Sequence, residues 1–235
     1  SGNLQAGEIN LNQLEVNLGA ELRAERISQT QASQSGGTLT LRANEVDLSM
    51  TGNDFSGQVI LQNVNIASIR DTNDLILSGR VNNLSVDAQR LAQLQDQSGA
   101  LIVQGTSDLR AANVDLQNAA NNFSGAVELQ VSDTAQLRDA NSLLVQGDVG
   151  NLNARAVQLT QADALIVRNN SSLEAASVQL NNSANDFQGD VALNVTGSAS
   201  IADTNNLSIS GQINGPTEVR AQSIEQTGAL VAGTG

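Results

Sequence analysis

Apolar and polar residues alternate over short runs along most of this chain. Clear examples are Leu39 and Leu41, Val46 and Leu48, Val59 and Leu61, Leu75 and Leu77, and Val127, Leu129 and Val131. A period of two residues is typical of a β-strand with one buried face. Asn, Asp, Gly, Ser and Thr separate the runs and favour turns, whereas helical spacing is weak even at its best, over residues 86–94. We therefore predict a nearly all-β chain.

A block of the form N-[DN]-F-x-G-x-V-x-L occurs three times. It lies within Thr51–Leu61, Ala119–Leu129 and Ser183–Leu193, and it contains all 3 Phe residues of the protein. We call it the Phe block. Its repeated positions are Asn53, Phe55 and Gly57 in the first copy, Asn121, Phe123 and Gly125 in the second, and Asn185, Phe187 and Gly189 in the third.

A second motif, D-[TA]-N-x-L-x-[LVI]-x-G, begins sixteen residues after each Phe. Its repeated polar positions are Asp71 and Asn73, Asp139 and Asn141, and Asp203 and Asn205. The second interval between copies is four residues shorter than the first, and the difference falls between Leu84 and Leu101. We divide the chain into super-repeats at about 38–105, 106–169 and 170–235, with a partial earlier unit at 1–37, all within one segment, 1–235.

The long super-repeat and the short strands favour stacked coils over hairpins, which would favour two-residue Asn-Gly or Asp-Gly turns. A unit of 64–68 residues divides into about three coils of roughly 21–23 residues, a size typical of one turn of a three-faced β-helix. We therefore predict one all-β, right-handed parallel β-helix, a solenoid. About ten or eleven coils, stacked at about 4.8 Å, would form a rod about 50 Å long.

The two repeated motifs, together with Q-S-G-A-L-I-V-Q-G-T-S from Gln97 and Q-T-G-A-L-V-A-G-T-G from Gln226, resemble the repeats of filamentous haemagglutinin-like large exoproteins. The resemblance covers Thr38–Gly235 well and residues 1–37 loosely. It implies a surface adhesin of a Gram-negative bacterium, exported by two-partner secretion. It also implies an outer-membrane transporter as export partner, and a host-cell, bacterial or surface receptor for the full-length protein. Since the repeats resemble the shaft and no secretion-domain motif is present, we expect this segment to have been cut from a longer protein.

Composition narrows the choice of partners. The net charge is −13 and all 11 basic residues are Arg, so there is no basic stripe for a nucleic acid. No apolar run is long enough to span a bilayer, so we expect no membrane insertion of this segment. The residues Ser1-Gly2-Asn3 begin no export signal, and any such signal is expected outside the segment.

The repeated polar residues have a structural interpretation and a functional one. The Asn residues are expected to cap turns or form a ladder between coils; ligand or cation binding is the alternative. The recurring Asp residues suggest calcium, but the Gly-Gly-x-Gly-x-Asp pattern of calcium-binding β-rolls is absent. We therefore predict no metal site. Each Phe is expected to be buried, with all three at one shared corner of the coil; an exposed adhesive spot is the alternative.

Enzymatic activity is not predicted, because His, Cys and Lys are absent and sugar-binding clefts usually present Trp or Tyr platforms. The carboxylates Asp186 and Asp190 recur only partly between units. We predict no catalytic residues and no cofactor. Our first functional hypothesis is a structural and adhesive shaft of a secreted, cell-surface protein. The second is a β-helix that binds or processes glycans.

Overall fold

A computed structural model describes residues 2–233, and they form a parallel β-solenoid of about 12 turns. The predicted parallel β-helix is confirmed. The described residues contain these strands: β1 (Gly2–Gln5), β2 (Glu8–Leu11), β3 (Glu15–Val16), β4 (Gly19–Arg23), β5 (Arg26–Gln29), β6 (Gln34–Ser35), β7 (Thr38–Arg42), β8 (Glu45–Leu48), β9 (Val59–Arg70), β10 (Asp74–Ala92), β11 (Leu101–Val103), β12 (Ser107–Leu116), β13 (Asn122–Phe123), β14 (Ala126–Arg138), β15 (Ser142–Val167), β16 (Ser171–Leu180), β17 (Asp186–Phe187), β18 (Asp190–Val195), β19 (Ala199–Ala202), β20 (Asn206–Ile213), β21 (Thr217–Arg220) and β22 (Ser223–Ala232). One 3₁₀ turn, Gln97–Gly99, interrupts them.

Neighbouring coils pair in parallel, and the register gives the length of each coil. Val59 lies between Leu39 and Leu77, so successive coils are offset there by twenty and then eighteen residues. The longest offset, twenty-three residues, places Leu84 beside Ser107. The predicted coil was therefore too long for most of the rod, and the predicted ten or eleven coils were too few. About 12 turns, stacked at about 4.8 Å, give a rod about 55–60 Å long.

The interior is one continuous apolar core that runs along the axis. It is built from the alternating residues, as β7 shows: Leu39 and Leu41 are buried while Thr38 and Arg42 are exposed. Because the interior is narrow, Val, Leu, Ile and Ala fill it and few large rings are needed.

Each coil has three faces, which we name by three inward-pointing residues of the coil 101–116. Leu101 marks face A, Ser107 marks face B and Val114 marks face C; all three are buried. Leu101 lies beside Gly79, which lies beside Leu61, so the end of the first Phe block, where β9 begins, is on face A.

The super-repeat does not return to the face on which it began. Val127, the Val of the second Phe block, lies beside Ser107 on face B. Val191, the Val of the third Phe block, lies beside Ser171 in the column of Leu152, Ala135 and Val114 on face C. Each super-repeat therefore spans three coils and about one third of another, and each unit is rotated by one face from the unit before.

Candidate functional site: the Asn–Phe–Asp corner

Two motifs that are sixteen residues apart meet on successive coils. The carboxylate Oδ2 of Asp71 accepts a hydrogen bond from the backbone N–H of Phe55, at 2.8 Å. The same bond joins Phe123 to Asp139 at 2.6 Å and Phe187 to Asp203 at 2.7 Å. We call each such set, with the Asn two residues before the Phe, an Asn–Phe–Asp corner.

The second carboxylate oxygen of each Asp holds its own turn. Oδ1 accepts from the backbone N–H two residues later, at Asn73 (2.8 Å), Asn141 (2.6 Å) and Asn205 (2.6 Å). All three Asp residues are buried. Burial raises the pKa of Asp71 and of Asp139, because desolvation penalises the charged form; the two backbone N–H donors act in the opposite direction.

The Asn of each corner is fully buried and bonds to its own coil and to the coil before it. In the third corner, Asn185 Nδ2 donates to the carbonyl of Leu180 at 3.0 Å, and Asn185 Oδ1 accepts from the N–H of Leu165 at 2.9 Å. Asn53 and Asn121 make the equivalent bonds. The turn-capping and coil-bridging role predicted for these Asn residues is confirmed.

A Gln in the preceding coil completes each corner, and the sequence interpretation missed it. Gln161 and Asn185 form a reciprocal amide pair: Gln161 Nε2 donates to Asn185 Oδ1 at 2.7 Å, and Asn185 Nδ2 donates to Gln161 Oε1 at 3.0 Å. The other pairs are Gln29 with Asn53 and Gln93 with Asn121. The expected Asn ladder is therefore a row of separate Asn–Gln pairs.

The Gln was hard to find because its spacing to the Asn varies. The separation is 24 residues in the first and third pairs and 28 in the second. The extra four residues of the longer super-repeat fall between Gln93 and Asn121, where the 3₁₀ turn Gln97–Gly99 absorbs them. An alignment of Gln29 with Gln161, without Gln93, would have shown a Gln 24 residues before the corner Asn in both units.

The three Phe side chains are buried as predicted, but they do not share one corner. Phe123 lies beside Val103 in the column of Val64, and Val64 belongs to the same coil as Phe55. Two residues of one coil cannot lie in the same column, so the first two Phe residues occupy different corners. Phe187 lies beside Val167 on a third corner. The prediction of one shared corner was wrong because it assumed a super-repeat of whole coils.

Gly57, Gly125 and Gly189 follow each Phe by two residues where the coils approach closely. A Cβ at Gly57 would collide with the carbonyl oxygen of Gly37 on the coil before. At Gly125 the obstacle is the carbonyl of Gly105, and at Gly189 it is that of Asn169. Glycine is therefore required here for lack of space.

A family model described as repeats of unknown function (DUF5649) matches residues 1–62, 63–130 and 132–194. The chain belongs to this repeat family. Searches against curated proteins and against solved structures gave no match. The family's units start at a different point from 38–105, 106–169 and 170–235, because a tandem repeat can be divided at any phase.

The remaining repeated Asn residues of the DUF5649 units link coils through their backbone, and Asn205 Nδ2 also donates to Asp186 Oδ1 at 3.2 Å. Asn73, Asn141 and Asn205 are exposed. Their carbonyl oxygens accept from the next coil, at Gln89 (3.0 Å), Val157 (2.7 Å) and Gln222 (2.7 Å). They link coils as expected of turn residues, but without a ladder of side chains.

The carboxylates of these DUF5649 repeats are dispersed. Within residues 2–233, no group of three or more Asp or Glu side chains is placed to hold a metal ion. Asp186 accepts from Gln188 Nε2 at 2.9 Å, and Asp190 accepts from Ser210 Oγ at 2.8 Å. Both carboxylates that sequence had singled out as a pair therefore have protein hydrogen-bond donors. In the same described part, no helix is long and apolar enough to cross a bilayer.

A shallow groove of about 420 Å³ lies beside the second corner. Arg138 and Arg155 stand next to each other in register at its side, and Glu174 pairs with Arg155 at 3.2 Å. The groove is lined by small side chains, among them Ala140 and Ala156. Two Arg residues and two carboxylates, Glu174 and the buried Asp139, line this groove.

Proposed function

We propose that this chain is a rigid shaft segment of a large, secreted bacterial surface adhesin, which holds a binding or effector region away from the cell. The observation that carries the proposal is that the repeated polar residues of the corners form hydrogen bonds within and between coils. Every corner Asn, Gln and Asp is bonded to its own or a neighbouring coil. These groups stiffen the stack, because their side chains are used in bonds within and between coils.

Geometry supports a mechanical role. Parallel coils that bond each backbone to the next give a rod whose length grows in proportion to the number of repeats. The charge of −13, spread over a long surface, favours solubility and disfavours lateral association. The sequence resemblance to filamentous haemagglutinin-like exoproteins supports the rest of the proposal: location at a Gram-negative cell surface, export through an outer-membrane transporter, and a surface receptor for the full-length protein. No catalysis and no cofactor are proposed.

Duplication of one unit tests the shaft. A chain in which residues 132–195 occur twice in tandem, a 64-residue copy that matches the spacing between Phe123 and Phe187, should be longer by about three and a third coils, about 16 Å, with no loss of thermal stability. Small-angle scattering and electron microscopy measure the length. A duplicated chain that unfolds, or that becomes thicker without becoming longer, would contradict a shaft that extends by repetition.

A bead assay tests adhesion. Beads coated with this chain should bind cells or surfaces more weakly than beads coated with the full-length protein, because a shaft holds the binding region and does not itself bind the cell. Equal binding by the isolated chain would make the shaft the adhesive element.

The groove beside Arg138 and Arg155 favours a second candidate, the binding of an acidic glycan. A uronate carboxylate in the groove would accept charge-assisted hydrogen bonds from Arg138 and Arg155. Calorimetric titration with oligouronates should then show binding that Arg138→Gln abolishes and that Arg110→Gln, which does not line the groove, leaves unchanged. Absence of binding, or equal binding by both variants, would dismiss this candidate.

A further inference from the structure

A shallow groove of about 420 Å³ lies at the bend between face A and face B of three successive coils. Asn63 and Asn65 of β9, Arg80 and Asn82 of β10, and Gln104, which follows β11, line it. We call it the amide groove. It brings four carboxamides and one guanidinium group together, and none of the residues that line it is an Asp or a Glu.

The amide groove is a place where the first unit departs from the repeat. Asn63 takes the position of Val131 and Val195 in the later units, and both of those Val residues are buried. Asn63 is exposed, and with a φ of 58° it is the one non-glycine residue of 2–233 with a positive φ. The register skips it, and Val64 takes the inward place. The bulge therefore adds a polar side chain to the surface of the first unit.

The guanidinium group of this groove has no carboxylate partner within the described part of the chain. Arg80 is exposed and takes part in none of the nine ion pairs found within residues 2–233. Gln62 lies beside it in register, and Gln62 Oε1 is buried without a hydrogen-bond donor from residues 2–233. Asn82 Nδ2 donates to Asn65 Oδ1 at 3.1 Å, which holds these two carboxamides side by side. The groove thus combines an unneutralised positive charge with amide donors and acceptors.

The equivalent groove one unit later has its charges paired within the protein. Asp148 stands in the position of Arg80, and Arg168 in that of Gln104. These two residues line a groove of about 500 Å³ and form an ion pair at 2.5 Å. The same bend therefore occurs in both units, but the groove of the first unit leaves its charge available to a ligand.

We propose that the amide groove binds a sugar that carries a tetrahedral oxyanion, as a phosphate or sulfate ester. Arg80 pairs with the oxyanion through charge-assisted hydrogen bonds. The carboxamides, each of which has donors and an acceptor, bond the other oxyanion oxygens and the sugar hydroxyls. The site stands apart from the shaft and from the groove beside Arg138.

The arrangement of donors favours a tetrahedral group over a planar carboxylate. A carboxylate is held best by two parallel N–H groups of one guanidinium, whereas the donors of the amide groove come from three coils. A nucleic acid carries a charge at every nucleotide and is disfavoured by the net charge of −13. One oxyanion on a hydroxylated ring therefore fits the groove best.

Titration of the intact, nitrogen-15-labelled protein tests the groove by NMR. The probes are glucose 6-phosphate, glucose 6-sulfate, glucuronate and glucose. At least one ester should bind saturably below about 10 mM and shift the side-chain amide signals of Asn63, Asn82 and Gln104. The tighter ester identifies the source of the oxyanion, and glucuronate and glucose should bind at least tenfold more weakly.

Substitutions at exposed Arg residues locate the contact. Arg80→Gln should weaken binding of the ester tenfold or more. The matched control Arg168→Gln, in the equivalent groove, should leave binding unchanged, and so should Arg138→Gln in the separate groove. No binding of either ester up to about 10 mM, binding of glucuronate as tight as that of the esters, or an equal loss in Arg80→Gln and Arg168→Gln would each overturn the proposal.

Discussion

The side chains at the Asn–Phe–Asp corners distinguish this solenoid from a stack of β-coils without specific polar contacts. The corner Asn, Phe and Asp were found from repetition alone, because residues of the same type recur at one position of a long unit. Their partners could not be found in that way. Gln93 is offset from Gln29 and Gln161 by an insertion, and no sequence rule states which atom a buried amide will meet.

The Phe123 ring is fully buried, so its removal should leave a cavity in the narrow core. Phe123→Ala should lower the free energy of unfolding by about 3–5 kcal/mol, measured by urea denaturation. Met50→Ala, at a partly exposed position, is the control and should cost far less. A loss below about 0.5 kcal/mol for Phe123→Ala would place the ring in solvent.

Two serines lie inside the core where the first unit has Leu39. Ser107 and Ser171 are buried, and within the described residues their hydroxyls have no hydrogen-bond partner. Ser107→Val should therefore raise the free energy of unfolding by about 1–2 kcal/mol. Ser107→Ala, which removes the hydroxyl without adding bulk, should be neutral or mildly stabilising. Clear destabilisation by both changes would show that the hydroxyl is bonded.

The buried Asp139 should make stability depend on pH. Because burial raises its pKa above the ordinary value of 3.8, the folded state binds the proton more tightly than the unfolded state. Its charged form therefore costs stability at neutral pH, and that cost falls as pH is lowered through the folded pKa. As pH is lowered from about 7 towards 3.8, the free energy of unfolding of the wild type should therefore gain relative to that of Asp139→Asn.

Exposed Asp133 provides the control for that comparison. The unfolding free energy of Asp133→Asn should keep the pH slope of the wild type in the same urea titrations. If Asp139→Asn and Asp133→Asn show the same slope, the pH response comes from the net charge of the rod and not from the corner.

Strands and corners form a second level, at which the alternation of apolar residues predicted the strands well. It could not predict the coil length, because the length of the super-repeat is compatible with any number of turns near three. The register gives seventeen to twenty-one residues per coil along most of the rod, and twenty-two or twenty-three only around the insertion. The sequence did not show whether a unit ends on the face where it began. The alternation of apolar residues marks which residues point inward, but not on which face a strand lies.

The Gln161–Asn185 pair predicts coupling between two coils. Gln161→Ala and Asn185→Ala should each lower the free energy of unfolding by about 1–3 kcal/mol, because each leaves buried polar groups unpaired. The double variant should lose less than the sum, with a coupling energy above about 0.5 kcal/mol. Gln179→Ala, an exposed change on β16, should combine additively with Asn185→Ala.

The whole molecule was predicted in outline, since repetition, alternation and the absence of large rings all favour a narrow solenoid. Its stability should come from stacking alone. Calorimetric melting curves with and without EDTA should coincide, because the acidic side chains within residues 2–233 are not grouped at metal-ligand spacing. A melting temperature lower by several degrees in chelator would reveal a structural ion.

Because each unit is rotated by one face, equivalent positions of successive units follow a spiral around the axis of the rod. Any side chain fixed to one position of the repeat is displayed in turn toward three directions around the axis, and the fourth copy faces the same way as the first. A flat partner, such as a cell surface lying along the rod, can therefore touch only every third copy at a time. Partners that wrap around the rod, or several that approach from different sides, can use them all.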